Sequence, residues 1–122
     1  MNVVYVALGG AIGSVLRHWV GVWATDAFGA RPAGTLIVNV AGSAVIGAFL
    51  GVAAERAWPA GLVYFVAVGL LGGFTTFSAF SWQTLQLAED GNMGGAALNV
   101  GASIAAGLLA VWAGATAARA AS

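Results

Sequence analysis

Phe77 and Phe80 stand three residues apart, directly after the run Gly72-Gly73-Phe74-Thr75-Thr76. At that spacing on a helix the two rings point to a similar side. Such a pair ordinarily packs a core. The edge of an aromatic ring is also positive, so two ring edges can stabilise a small anion without binding it so tightly that it cannot leave; geometry chooses between these roles. The paired glycines and the β-branched threonines before them are a poor helix interior. The run therefore predicts a broken helix. Carbonyl oxygens released by such a break suit a hard cation such as Na+, and the hydroxyls of Thr76 and Ser78 can bond the remaining backbone groups.

Further polar residues fall at helical spacing in otherwise apolar surroundings. Asn39 and Ser43 are four apart and share a face, as do Asn99 and Ser103, with Gly107 one turn further along. An asparagine there bonds across to a neighbouring helix or offers its N–H groups to an anion, and taken alone the first role is favoured. A stripe of donors without a carboxylate suits an anion better than a cation or a proton. Arg17 follows Gly9-Gly10-Ala11-Ile12-Gly13 and has two readings of equal weight. One is a side chain that snorkels or pairs with a carbonyl or an acid; the other is a fixed positive charge that attracts an anion into a vestibule. His18 beside it is assigned no role.

The elements that hold these residues follow from composition. The chain has 122 residues, of which 61% are hydrophobic and 7% charged, and its mean hydropathy is +0.94. Soluble domains carry about a quarter charged residues, so lipid is the expected solvent. Crossing the hydrocarbon layer takes roughly 20 apolar residues, and four such stretches are present, at about residues 3–24, 34–54, 60–87 and 93–117. The reading is an all-α membrane protein with one transmembrane domain over residues 1–122, its third helix broken near the middle. Short connections predict antiparallel neighbours in sequence order. Gly9/Gly13 and Gly47/Gly51 recur at a spacing of four and let helix backbones approach closely.

Several functions are excluded by what is missing. Cysteine is absent, so there is no disulfide or thiolate chemistry. There is no lysine and the formal net charge is zero, which leaves no basic patch for nucleic acid. Asp26, Glu55, Glu89 and Asp90 are all expected in connections, so no acid lies within a span for proton coupling. One histidine, with no acid–base pair, metal cluster or phosphate loop, gives no support for an enzyme. The first stretch lacks a basic n-region and reads as a retained span rather than a signal peptide. Positive charge divides evenly, with Arg56 and Arg119 on one side and Arg17 and Arg31 on the other. So little bias permits both orientations and hence two opposed copies, although one fixed topology stays open.

Together these motifs resemble the small fluoride channels of the CrcB/Fluc family. The resemblance is carried by Gly9-Gly10-Ala11-Ile12-Gly13 leading to Arg17, and by Gly34-Thr35-Leu36-Ile37-Val38-Asn39 with Gly42. It continues through Gly72 to Phe80 and ends with Ser103 and Gly107-Leu108-Leu109-Ala110. The third-span motif is the specific one. It implies an antiparallel dual-topology homodimer in the cell inner (plasma) membrane, exporting fluoride passively and so limiting its toxicity. By the resemblance, carbonyls of Gly72 and Thr75 from both copies hold a structural Na+. Asn39, Phe77, Phe80 and Ser103 line each fluoride pathway, with Thr76 and Ser78 also carried over, and Arg17 sits at the vestibule. Ala79, His18 and Gly107 depart from the family's usual threonine, aromatic and second serine. A four-helix multidrug exporter is the nearest alternative, but it relies on a glutamate in its first helix, which this chain lacks. A non-transporting scaffold would need neither a broken helix nor polar stripes.

Overall fold

The structure is a computed structural model that describes residues 2–29 and 31–122, with Arg31 and Ala54 described in their backbone alone. The charge count that sets Arg31 beside Arg17 therefore falls partly outside the described side chains.

Among the described residues all the regular elements are helical: α1 (Asn2–Phe28), α2 (Arg31–Arg56), α3 (Ala60–Val63), a π-helical segment (Tyr64–Leu70), α4 (Leu71–Phe74), α5 (Phe77–Glu89) and α6 (Met93–Ala121). Four helices among the described residues are long and apolar enough to cross a membrane: Asn2–Phe28, Pro32–Ala53, the joined segments Ala60–Glu89, and Met93–Ala121. The helices overrun the apolar stretches at several ends, which changes the place of the acids. Asp26, Glu55 and Glu89, expected in connections, instead occupy the last turns of α1, α2 and α5, where all are exposed. A helix with free ends extends past its hydrophobic part because backbone bonds still form there.

Glycine terminates two of these helices. Gly29 and Gly91 adopt φ of 69° and 83°, the left-handed conformation that side chains disfavour. After α5 the amide of Gly91 donates to Ala88 O and that of Asn92 to Leu87 O, the paired bonds that close a helix C-terminus. Asn92 then accepts from Gly95 N at 2.8 Å and starts α6.

Packing departs from simple sequence order. α1 touches α2 and α5 touches α6, but the most extensive pairings are α2 with α6, and α1 with the π segment and α4. Small residues decide this. A Cβ on Gly47 would run into the Val111 carbonyl, and one on Gly114 into that of Ala44. Between α1 and the third span, a Cβ on Gly13 would strike Leu70 O and one on Gly73 would lie 2.7 Å from Gly10 O. These faces meet backbone to backbone, and in lipid such close contact is what holds helices together. Few side chains are enclosed; among the described residues Ala24, Val38, Val52, Leu71 and Ala96 are the buried apolar ones. The outer surface carries Val3, Trp19, Leu98, Leu108 and Trp112, each well exposed, as expected where the surroundings are hydrocarbon.

The π segment was not foreseen from the sequence. Its wider turn changes the register of the third span, and Gly69 and Gly73, one on each side of its end, both lie against α1.

Candidate functional site

The break in the third span falls at Thr75 and Thr76, both extended, with φ/ψ of −91°/158° and −152°/121°. Three side chains hold it open. Asn39 on α2 pairs with the backbone of Thr76 on both sides. Its Oδ1 accepts from Thr76 N at 2.8 Å and its Nδ2 donates to Thr76 O at 3.0 Å. Thr76 Oγ1 accepts from Ala79 N at 3.2 Å and caps α5, with Ser78 Oγ 3.3 Å away. Arg17 Nε donates to Gly73 O at 2.9 Å from α1. Gly42 gives the break its room, because a Cβ there would collide with Thr75 Cγ2.

This arrangement releases particular carbonyls. In a continuous helix Gly72 O would accept from Thr76 N and Thr75 O from Ala79 N. Those amides instead serve Asn39 Oδ1 and Thr76 Oγ1. Gly72 is also exposed. Neutral oxygen donors stripped of their helical partners fit a hard monovalent cation, so the residues present are compatible with Na+. The Thr75 hydroxyl is not part of that set, since it donates to Leu71 O at 2.8 Å.

Two clefts meet at the break. The smaller, of about 320 Å³, is lined by Asn39, Gly42, Ser43, Gly72, Thr75, Thr76 and Phe77, among others. Asn39 is half-buried, and its amide carries two N–H groups, of which one is committed to Thr76 O. The clamp thus fixes the amide in orientation and leaves a second donor. The larger cleft, of about 800 Å³, is lined by Ser14, Arg17, His18, Thr76, Ala79 and Gln83, among others. Arg17 pairs with a carbonyl, as one of its two expected roles has it, and its side chain also lines this cleft. Thr76 lines both clefts.

Phe77 and Phe80 lie together, ring centroids 5.6 Å apart and tilted by 48°. Phe77 is 77% exposed, so it packs no core within this chain. Phe80 and the half-buried Ser103 line neither of the two clefts, and Ser78 is exposed. Asn99 is drawn out of the expected donor stripe, its Nδ2 donating to Thr84 Oγ1 at 2.9 Å to tie α6 to α5. Gln83 was missed from the sequence. It follows Phe77 and Phe80 at spacings of six and three, which was the available signal, and its Oε1 is buried without a hydrogen-bond partner. Among the described residues no group of three or more His, Cys, Asp or Glu is placed to hold a metal.

A sequence model of the family described as CrcB-like protein, Camphor Resistance (CrcB), matches residues 4–115. The chain belongs to this family. Among relatives of this CrcB protein, a fluoride-specific ion channel FluC of Paramagnetospirillum magneticum is 50% identical over 113 residues, 89% of this chain and 88% of the relative. One of Allorhizobium ampelinum is 50% identical over 115 residues, covering 93% and 92%. One of Acidobacterium capsulatum is 42% identical over 120 residues, covering 93% of each. The CrcB chain is thus a multi-pass membrane protein of an ion-channel family and not an enzyme.

Proposed function

We propose that two copies of this chain, inserted in opposite orientations, form a fluoride-selective channel that lets fluoride leave the cell passively. One observation carries the reading: a helix break at mid-span, clamped by Asn39, opens on the surface of a single protomer beside an exposed Phe77. Irregular backbone and polar groups at that depth do not face lipid; they are covered by protein or line water. Gly72, Phe77, Ser78 and Ser81 are all exposed there. A second copy of the same chain is the cover that fits, and the near-equal charge on the two ends permits it to be opposed.

Fluoride is small and strongly hydrated, so a path for it replaces water with several close donors, each weak enough to release it. The remaining Asn39 N–H and the edges of Phe77 and Phe80 are donors of that kind. Arg17 raises the anion concentration in the larger cleft, and Ser103 continues the path on α6 once a second copy completes it. Gly72 and Thr75 carbonyls from both copies hold Na+, which supplies fixed positive charge between the two halves and joins them. The membrane potential contributes about 2.3 kcal/mol per charge per 100 mV toward the outside. Asp26 lines the larger cleft, whereas among the described residues no Asp or Glu lines the smaller one, where Asn39 and Phe77 stand, in keeping with passive flow past the break. The same fluoride-specific activity is named for relatives that match about nine-tenths of the chain.

The test is release of fluoride from liposomes that contain only the purified chain, followed with a fluoride electrode, with chloride in parallel. Fast fluoride and slow chloride release is the expected result. Folded dimers that release neither would leave a scaffold as the better reading.

A further inference from the structure

Ser43 is half-buried on α2, one helical turn beyond Asn39, and lines the same cleft as Asn39, Thr76 and Phe77. A serine or threonine inside an apolar helix usually turns its hydroxyl back to the carbonyl four residues earlier. Thr25, Thr75, Ser81 and Thr84 all do so here. Ser43, like Ser14, Ser103 and Thr116, does not, and among the described residues its hydroxyl engages no partner; of these four it alone lines the cleft that holds Asn39 and Phe77.

The residue facing it across the α2–α6 contact is Gly107. Along this contact the other glycines are needed by packing, because a Cβ on Gly47 or Gly114 would meet the opposing backbone. A Cβ on Gly107 would meet only one atom within 4 Å, Ser43 Oγ at 3.8 Å, which is ordinary contact. Packing therefore does not require glycine at position 107. Its missing side chain leaves space directly over a free hydroxyl.

We infer that Ser43 is a further donor for the permeating anion, the step after Asn39, and that Gly107 is the gap through which the anion reaches it. This rests on the fluoride reading above. Neighbours at this spacing on a helix lie about 6 Å apart, a distance over which a small anion exchanges one donor for the next. Ser43 also supplies from α2 the hydroxyl that α6 lacks at position 107, and the 3.8 Å contact means that a hydroxyl placed on residue 107 would fall in the same space.

The experiment compares fluoride release from liposomes for the wild type, S43A, S43A/G107S and S43A/G107A, each checked for dimer elution. S43A should slow release about tenfold, the loss of one charge-assisted hydrogen bond, with elution unchanged. G107S should bring S43A back to within about threefold of the wild type, and G107A should not, because only the serine returns a hydroxyl. S43A at the wild-type rate would overturn the inference while leaving the channel intact. Recovery with both second substitutions, or with neither, would also overturn it, since the defect would then be one of packing. A silent wild type would instead refute the fluoride reading and this inference with it.

Discussion

Replacing Asn39 with alanine removes the two hydrogen bonds, of 2.8 and 3.0 Å, that hold Thr76 in its extended conformation. Side-chain hydrogen bonds within membranes average about 0.6 kcal/mol and reach about 1.7 kcal/mol, because the disrupted state usually finds other partners. Thr76 has few. Its backbone is extended, at φ −152° and ψ 121°, so it has no helical neighbour to which its N–H and C=O could revert without closing the break. The upper part of the range applies to each bond, about 3 kcal/mol in all. At about 4 °C per kcal/mol for a chain of this size, the unfolding midpoint in detergent should fall by roughly 10 °C. Fluoride release should fall with it, because the same amide presents the remaining N–H to the cleft. Asn39→Asp separates the two effects. It keeps an acceptor for Thr76 N but sets a carboxylate oxygen against Thr76 O and a negative charge in the path of an anion. Its midpoint should fall by about half as much, while fluoride release should cease. An Asn39→Ala protein that melts with the wild type, or an Asn39→Asp protein that conducts like it, would refute the reasoning.

Phe77→Leu should leave the helical content and fold of each chain unchanged, because the ring is 77% exposed on the single chain and packs no core there; fluoride release should nevertheless drop sharply, and the contrast between circular dichroism and release is the check. Gly13→Leu should prevent recovery of folded protein in detergent or lower its stability by more than about 2 kcal/mol, because its side chain would meet the Leu70 carbonyl, which is backbone and cannot swing away; size-exclusion profiles would reveal it, and a wild-type profile would contradict the packing described. Preparing the protein with N-methylglucamine in place of Na+ should weaken the dimer and slow fluoride release, both restored on adding Na+. A large cation cannot be wrapped by the carbonyls of Gly72 and Thr75, so unaltered dimers in its presence would remove the Na+ proposal.

The sequence by itself determined the solvent, the number of spans and the place of the break. Those depend on local quantities: the length of apolar runs, and the poor helix propensity of Gly72-Gly73 with Thr75-Thr76. Family membership was legible in the same motif, and the close approaches at Gly13 and Gly47 followed from spacing alone. What the sequence left open were choices between two roles for one side chain. Asn39 as clamp or donor was one, and tertiary structure made the clamp explicit by setting the amide against Thr76, 37 residues away in the chain. Arg17 was another, and only the tertiary structure shows that its Nε meets a carbonyl on the third span while its side chain lines the larger cleft. The terminal turns that took in Asp26, Glu55 and Glu89 lay beyond a hydropathy reading, because backbone bonding sets helix ends more than apolarity does. The π segment, the pairing of α2 with α6, and the use of Asn99 by Thr84 were likewise not legible. Each is settled by which surfaces meet, and a periodic pattern of small residues shows that a helix face can be approached closely without naming the helix that does so.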